Sequence, residues 1–168
     1  MTLDEIKEFL GNDWKETDGL IRSSLRSDID LLNTTNEAIL EHSGKQLRPI
    51  VSLLVARACG NGKANEDSVR CAAASELLHN ATLLHDDVAD SSSERRGAPT
   101  VMAILGGPAS VLLGDYWLVK AMTYSHPRLT AMRSSGYSQK LSAALPRGRC
   151  SSFRRLRAGT RRKRTISV

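Results

Sequence analysis

The residues best equipped for chemistry are the run His85-Asp86-Asp87-Val88-Ala89-Asp90 and, shortly after it, Arg95-Arg96-Gly97. On a helix Asp86 and Asp90 are four residues apart and share a face, roughly 6 Å apart along the axis. Two acids so placed repel each other, by about a few tenths of a kcal/mol in an isolated helix. A multivalent cation between them reverses that sign. Hard divalent ions such as Mg²⁺ take carboxylate oxygens and are commonly shared with a substrate's phosphates. The two arginines can grip the same phosphates through bidentate hydrogen bonds. The alternative is a solvated, charged helix end. The strongly apolar lead-in from Cys71 to Leu84 argues against it, because the acids continue an element that is itself buried.

Two further features belong with this run. His79 precedes Asp86 by seven residues, so His79, Asp86 and Asp90 project to one side of the same helix, with Thr82 and Leu83 between them. A polar stripe on an otherwise apolar helix implies a cavity, since unpaired buried charge is very costly. A satisfied core histidine is the plainer account of His79 taken alone. The second feature is Gly44-Lys45-Gln46-Leu47-Arg48-Pro49, directly before another helix. The helix N-terminus adds partial positive charge to Lys45 and Arg48, which suits a phosphate. A solvated basic turn is the alternative there. The spacing predicts that His79, Asp86 and Asp90 face Lys45 and Arg48 across one cavity.

The elements that must position these groups read as helix after helix. Leu3, Ile6, Phe9 and Leu10 form one apolar stripe, with Thr2 as N-cap. Leu20, Ile21, Leu25, Ile29 and Leu32 continue with helical spacing, and Thr34 or Thr35 caps a short segment to His42. Pro49 lies in the first turn of a helix that stops at Gly60. Asn65 caps the longest helix, which runs to about Asp90. Gly97-Ala98-Pro99 is loop, and Pro108 starts a last patterned helix through Gly114 and Asp115 to Ala121. No strand-period run appears, so the expected fold is all-α.

At 168 residues the chain is long enough for one domain with a real core. Cys59, Cys71 and Cys150 lack metal-ligand spacing, which fits a reducing compartment. The N-terminus carries acids and no apolar signal region, and no apolar run reaches the length of a membrane span. A soluble, cytoplasmic protein is expected. The net charge of +6 conceals an asymmetry. Residues 1–115 hold all 18 acids and 11 of the 24 bases, whereas residues 116–168 hold 13 bases and no acid. At face value the basic segment is a nucleic-acid or anionic-membrane arm. A shifted reading frame explains it better, because helical periodicity ends near Met122 and the composition becomes arbitrary. The expected organisation is therefore a helical region over 1–122 and a basic, low-complexity, non-native or disordered tail over 123–168.

The combination of Gly44–Pro49, the helix Glu76–His85, Asp86–Thr100 and Val111–Tyr116, in that order, resembles the trans-polyprenyl diphosphate synthases. The resemblance covers roughly residues 40–122 and implies the N-terminal part of an isoprenoid-synthase bundle. It implies an Mg²⁺-dependent prenyltransferase condensing isopentenyl diphosphate with an allylic prenyl diphosphate. Asp86 and Asp90 would hold Mg²⁺ on the allylic diphosphate, with Asp87 supporting and Arg95 binding that diphosphate. Lys45, Arg48, His79 and Arg96 would bind isopentenyl diphosphate, and Ala81 and Thr82 would form the floor that sets chain length. Gln46 departs from the family, which usually has a second basic residue there. The family also carries a second aspartate-rich motif, which nothing here matches because no acid follows Asp115. A homodimer is implied for the complete protein, and a truncated, inactive or weakly active form for this chain. The competing reading is a non-catalytic helical partner or binding module whose basic tail takes anionic ligands, with nucleic acid expected only if that tail is native.

Overall fold

Local chemistry decides where the first helix begins. Thr2 Oγ1 accepts from the Glu5 amide at 3.3 Å, and the Glu5 carboxylate accepts from the Thr2 amide at 2.9 Å. This capping box opens α1 (Leu3–Leu10). The computed structural model describes residues 2–125, and the expected tail over 123–168 lies outside them except for its first three residues. Leu10 is fully buried, with Leu3 and Ile6 against the same cluster, while Phe9 faces outward beneath the Arg57 guanidinium. Arg57 also donates to the carbonyls of Phe9 and Leu10 at 2.8 and 2.6 Å and to Asp13 at 2.7 Å. One planar fork from α4 (Leu47–Cys59) thereby satisfies carbonyls orphaned at the end of α1 and fixes the start of α2 (Asn12–Ser24).

The continuous helical spacing expected through Leu32 is interrupted. The helix ends at Ser24, and α3 (Asp30–Glu41) begins after a turn. The Asn33 side chain holds that turn, accepting from the Ser27 amide at 2.9 Å and donating to the Ser27 carbonyl at 2.7 Å. Thr34 and Thr35 do not cap α3 but lie inside it, their hydroxyls bonded back to the carbonyls of Asp30 and Leu31.

Helices on several sides pack on α5 (Glu66–Ala89), which opens with Asn65 Oδ1 accepting from the Ser68 amide at 2.8 Å. Its Val69 and Ala72 meet Leu10, Ile50 and Leu53 on one side. On the other, Ala73, Leu77, Ala81 and Leu84 meet Ile21, Leu25, Val101, Leu113 and Trp117. The helix is therefore buried from two sides, and its exposed residues form a remaining stripe through Leu78, Thr82, Asp86 and Ala89. After it come two short strands, β1 (Glu94–Arg95) and β2 (Ala98–Pro99), where a loop was expected. They pair antiparallel around Arg96-Gly97, both at positive φ (54° and 77°), the requirement of a type I′ hairpin. Thr100 then caps α6 (Val101–Leu105), a helix the sequence pattern did not predict.

The last element among the described residues, α7 (Gly107–Ser125), lies along α5 and extends three residues beyond Met122. Trp117 is completely buried, and its Nε1 donates to Asn36 Oδ1 at 2.9 Å, while Asn36 Nδ2 donates to the Leu25 carbonyl at 2.9 Å. The two helices pack tightly at Gly114, where an added Cβ would sit 2.5 Å from His85 Cδ2. His85 Nε2 meets the Val111 carbonyl at 3.3 Å and Asp115 Oδ1 at 3.2 Å. Gly114→Ala should therefore force the His85 ring to move, at the cost of its contacts with Val111 and Asp115, lowering stability by about 1–3 kcal/mol. Urea unfolding checks this, and an unchanged midpoint would remove the His85–Gly114 contact as a constraint.

Candidate active site

A cavity of about 400 Å³ is formed by the loop before α4, the middle of α5 and the hairpin turn. Lys45, Arg48, His79 and Arg96 all line it, so four of the expected binding residues come together. The convergence has a specific cause. Gly44 is at φ 78°, and the Arg96 guanidinium lies directly over it, its Cζ 2.8 Å from where a Cβ would stand. Arg96 Nη1 also donates to the His42 carbonyl at 3.1 Å. A side chain from the hairpin is thus seated on the backbone of a loop about fifty residues earlier. Both non-glycine residues at positive φ on the cavity rim, Gln46 and Arg96, sit in this joint.

Gln46, where a second base is usual in the family, accepts a 3.4 Å hydrogen bond from Lys7 Nζ. Lys7 of α1 brings a positive charge to the same rim, and the sequence reading missed it. It also missed Glu76, which is buried in the cavity wall among the bases. Burial pushes the Glu76 carboxyl above the ordinary carboxylate range, against the opposing effects of its Asn80 hydrogen bond and of Arg48, Arg96 and Lys7. His79 moves the other way. Burial, then Arg48, Arg96 and Arg95, hold its imidazole below the ordinary value, and Asp86 pulls weakly upward. At neutral pH His79 is therefore a neutral donor or acceptor.

Asp86 and Asp90 do not line this cavity, so the single cavity expected from the spacing is not formed by these residues. They are exposed farther along α5, about 10 Å from His79 in the case of Asp86 by helical rise. Their carboxylates form no hydrogen bond among the described residues. Nor do three His, Cys, Asp or Glu side chains converge there in the manner of a complete metal cage. Two free hard-oxygen donors on one helix face fit a divalent cation that takes its other ligands from phosphate and water. Asp87 differs from both. It is buried and accepts from Arg95 Nε at 2.8 Å, so its carboxylate is committed to holding Arg95. The pair forms part of the wall of a second, mostly apolar cavity of about 390 Å³ between α3, α5 and α6, which Arg96 also lines.

The two residues expected to form a floor have different surroundings. Thr82 is exposed, its hydroxyl bonded to the His79 carbonyl at 2.7 Å, whereas Ala81 is enclosed in the core. Leu78 continues the exposed side one turn below Thr82, and Leu77 the buried side below Ala81. Among the described residues no helix is long and apolar enough to cross a membrane.

Helical bundles that present a paired-aspartate helix end beside a basic cavity define a recognisable class, and the comparisons identify it. The Polyprenyl synthetase family matches residues 29–146, a span that passes the expected boundary at Met122. Octaprenyl diphosphate synthase of Escherichia coli (strain K12) is 42% identical over 122 residues, covering 72% of this chain and 37% of the relative. Geranylgeranyl diphosphate synthase of Saccharolobus solfataricus is 31% identical over 142 residues, or 84% of this chain and 42% of the relative. Among solved structures, a decaprenyl diphosphate synthase from Rhodobacter capsulatus superposes with a TM-score of 0.68 at 32% identity, covering 85% of this chain and 42% of that one. A polyprenyl synthase from Caulobacter crescentus, complexed with calcium and isoprenyl diphosphate, gives 0.65 at 33% identity over the same shares. The chain belongs to the polyprenyl synthetase family. It spans well under half the length of these relatives.

The Asp87–Arg95 pair yields a prediction. Arg95→Ala would leave a buried carboxylate without its charged donor, a loss of about 1.5–3 kcal/mol. Thermal or urea unfolding should show this destabilisation, with Arg95→Lys recovering part of it. Wild-type stability in Arg95→Ala would mean that the ion pair contributes nothing.

Proposed function

We propose that this chain carries the substrate-gripping elements of a prenyltransferase that joins isopentenyl diphosphate to an allylic prenyl diphosphate. The observation that carries the reading is the cavity in which Lys45, Arg48 and Arg96 surround a neutral His79, with the free carboxylates of Asp86 and Asp90 farther along the same helix. The Caulobacter relative solved with calcium and isoprenyl diphosphate supports both ligand classes.

In this reading Lys45, Arg48, His79 and Arg96 bind isopentenyl diphosphate, and Lys7 adds to their field through Gln46. Asp86 and Asp90 hold Mg²⁺, which when bound neutralises charge on the departing diphosphate. Arg95, oriented through Nε by Asp87, turns its remaining N–H donors to the allylic diphosphate. Asp87 is then a positioning residue. The complete protein is a cytoplasmic homodimer. Nucleotide sequence beyond the Met122 codon, translated in every frame, tests the shifted-frame account of the basic segment.

Two substitutions separate the sites. Arg48→Ala should weaken isopentenyl diphosphate binding about tenfold or more, equivalent to roughly 1.4 kcal/mol or more. Asp86→Ala should leave that affinity nearly unchanged, yet in a complete, in-frame protein it should lower turnover by orders of magnitude. Calorimetry and product assays read these out, and turnover within a few-fold of the parent in Asp86→Ala would refute its role.

Product length follows from the open face of α5. A chain growing from Asp86 passes Thr82, then Leu78, one turn of about 5.4 Å apart, roughly one isoprene unit. With Thr82 small, the complete enzyme should make products beyond the C15 class. Thr82→Phe should shorten them. Ala81→Phe acts from behind and must also displace the core. Chromatography of the products decides, and a dominant C15 product from the unsubstituted enzyme would end the argument.

A further inference from the structure

Glu76 is the one charged side chain lining the basic cavity that the reading above leaves without a task. It is 1% exposed, and its Oε2 is the only buried side-chain polar atom among the described residues with no hydrogen-bond partner. Oε1 accepts a long 3.3 Å bond from Asn80 Nδ2, which makes a better 2.9 Å bond to the Glu76 carbonyl. Buried polar atoms are rarely left in this state, and one facing a ligand cavity points to an absent partner.

Charged groups approach it from every side. Lys7 comes from α1, Arg48 from α4, Lys45 from the loop before it, and Arg96 from the hairpin, while His79 and Asn80 share its helix. These cations favour the ionised form, but burial outweighs them and favours the proton. A diphosphate entering the cavity adds negative charge beside the carboxyl, which favours the proton further. An ionised Glu76 would repel that ligand and offer it only acceptor oxygens. A protonated Glu76 offers a donor to an oxygen that needs one.

We propose that Glu76 is a protonated donor of the anion site, so that the cavity takes up a proton with the diphosphate and Oε2–H donates to a phosphate oxygen. The proton comes from solvent and returns to it when the ligand leaves. No covalent bond is made or broken. Because the complex holds more protons at this group than the free cavity, its contribution to affinity is present at low pH. That contribution is lost as pH rises through the range in which the bound carboxyl ionises. The inference rests on reading the cavity as a diphosphate site.

Calorimetric titration of the 168-residue chain with inorganic pyrophosphate, in buffers of different ionisation enthalpy and at several pH values, tests it. Proton uptake by the parent should exceed that of Glu76→Gln by a substantial fraction of one proton per site. The affinity ratio of variant to parent should also rise as pH increases, because the glutamine amide remains a donor throughout. Equal proton uptake in both proteins overturns the inference and leaves the diphosphate site standing. So does a uniform loss of affinity of tenfold or more in Glu76→Gln without change in proton number, which marks an ionised anchor for the arginines. Failure of the parent to bind pyrophosphate removes the diphosphate reading itself, and this inference with it. Should Glu76→Gln not fold, the infrared difference spectrum of the parent on adding pyrophosphate decides. Gain of a protonated-carboxyl band supports the proposal, and its absence refutes it.

Discussion

The contact on which the anion site depends is Arg96 lying over Gly44. Lys45 and Arg48 come from one segment and Arg96 from another about fifty residues later, and mutual repulsion works against bringing them together. Several structural features hold them there. The type I′ turn aims Arg96 back across α5, the His42 carbonyl takes one of its donors, and the absent Cβ at Gly44 lets the guanidinium reach the backbone. Arg96 itself adopts a left-handed backbone that costs a non-glycine residue about 1–2 kcal/mol. A strained joint that concentrates like charges suits the anion site of the proposed reading. A phosphate placed among its members would offset their mutual repulsion.

The burial of α5 from two sides sorts its polar residues by angle. Successive helical positions turn by about 100°, so Asp86 and Asp87, adjacent in sequence, meet different environments. Asp86 faces solvent with its oxygens free, while Asp87 faces inward and is neutralised by Arg95. Glu76 likewise falls on the buried side, but at the level where the basic cavity cuts into the bundle. Three aspartates in one short motif therefore take two forms, two with free carboxylates and one committed to orienting an arginine.

Much of this was legible because the signals are local. Thr2 with Glu5, Asn65 with Ser68, and the stop at Gly60 are capping chemistry within a few residues, and each helix boundary so marked is where the sequence places it. The break between α2 and α3 was not legible. No glycine or proline marks it, the apolar spacing runs through it, and its stabilising group is Asn33, six residues beyond the Ser27 it bonds. The hairpin could have been read from a glycine after Arg96 that permits a primed turn. Of the site, the motif residues were visible by type and spacing. Glu76 and Lys7 were not, because a glutamate in a helix and a lysine on an amphipathic one are ordinary. Only the packing of α1, α4 and α5 makes either unusual.

The acidic run also bears on stability in a way that spacing alone does not convey. Asp86, Asp87 and Asp90 occupy the last turn and C-cap of α5, where the helix dipole is negative and no basic residue of the helix lies in its last turn. Each exposed carboxylate so placed opposes the dipole by about 0.3–1 kcal/mol. Asp86 and Asp90 add repulsion across one turn, and Asp115 of α7 is tied beside them through His85. Arg95 relieves only Asp87. The free carboxylates therefore sit where the fold itself disfavours negative charge, an arrangement that a purely structural helix end would avoid. A bound divalent cation converts those unfavourable interactions into favourable ones together. The same unrelieved charge that makes this end of α5 costly in the free chain is what the proposed reading uses to hold a divalent cation and, through it, a diphosphate.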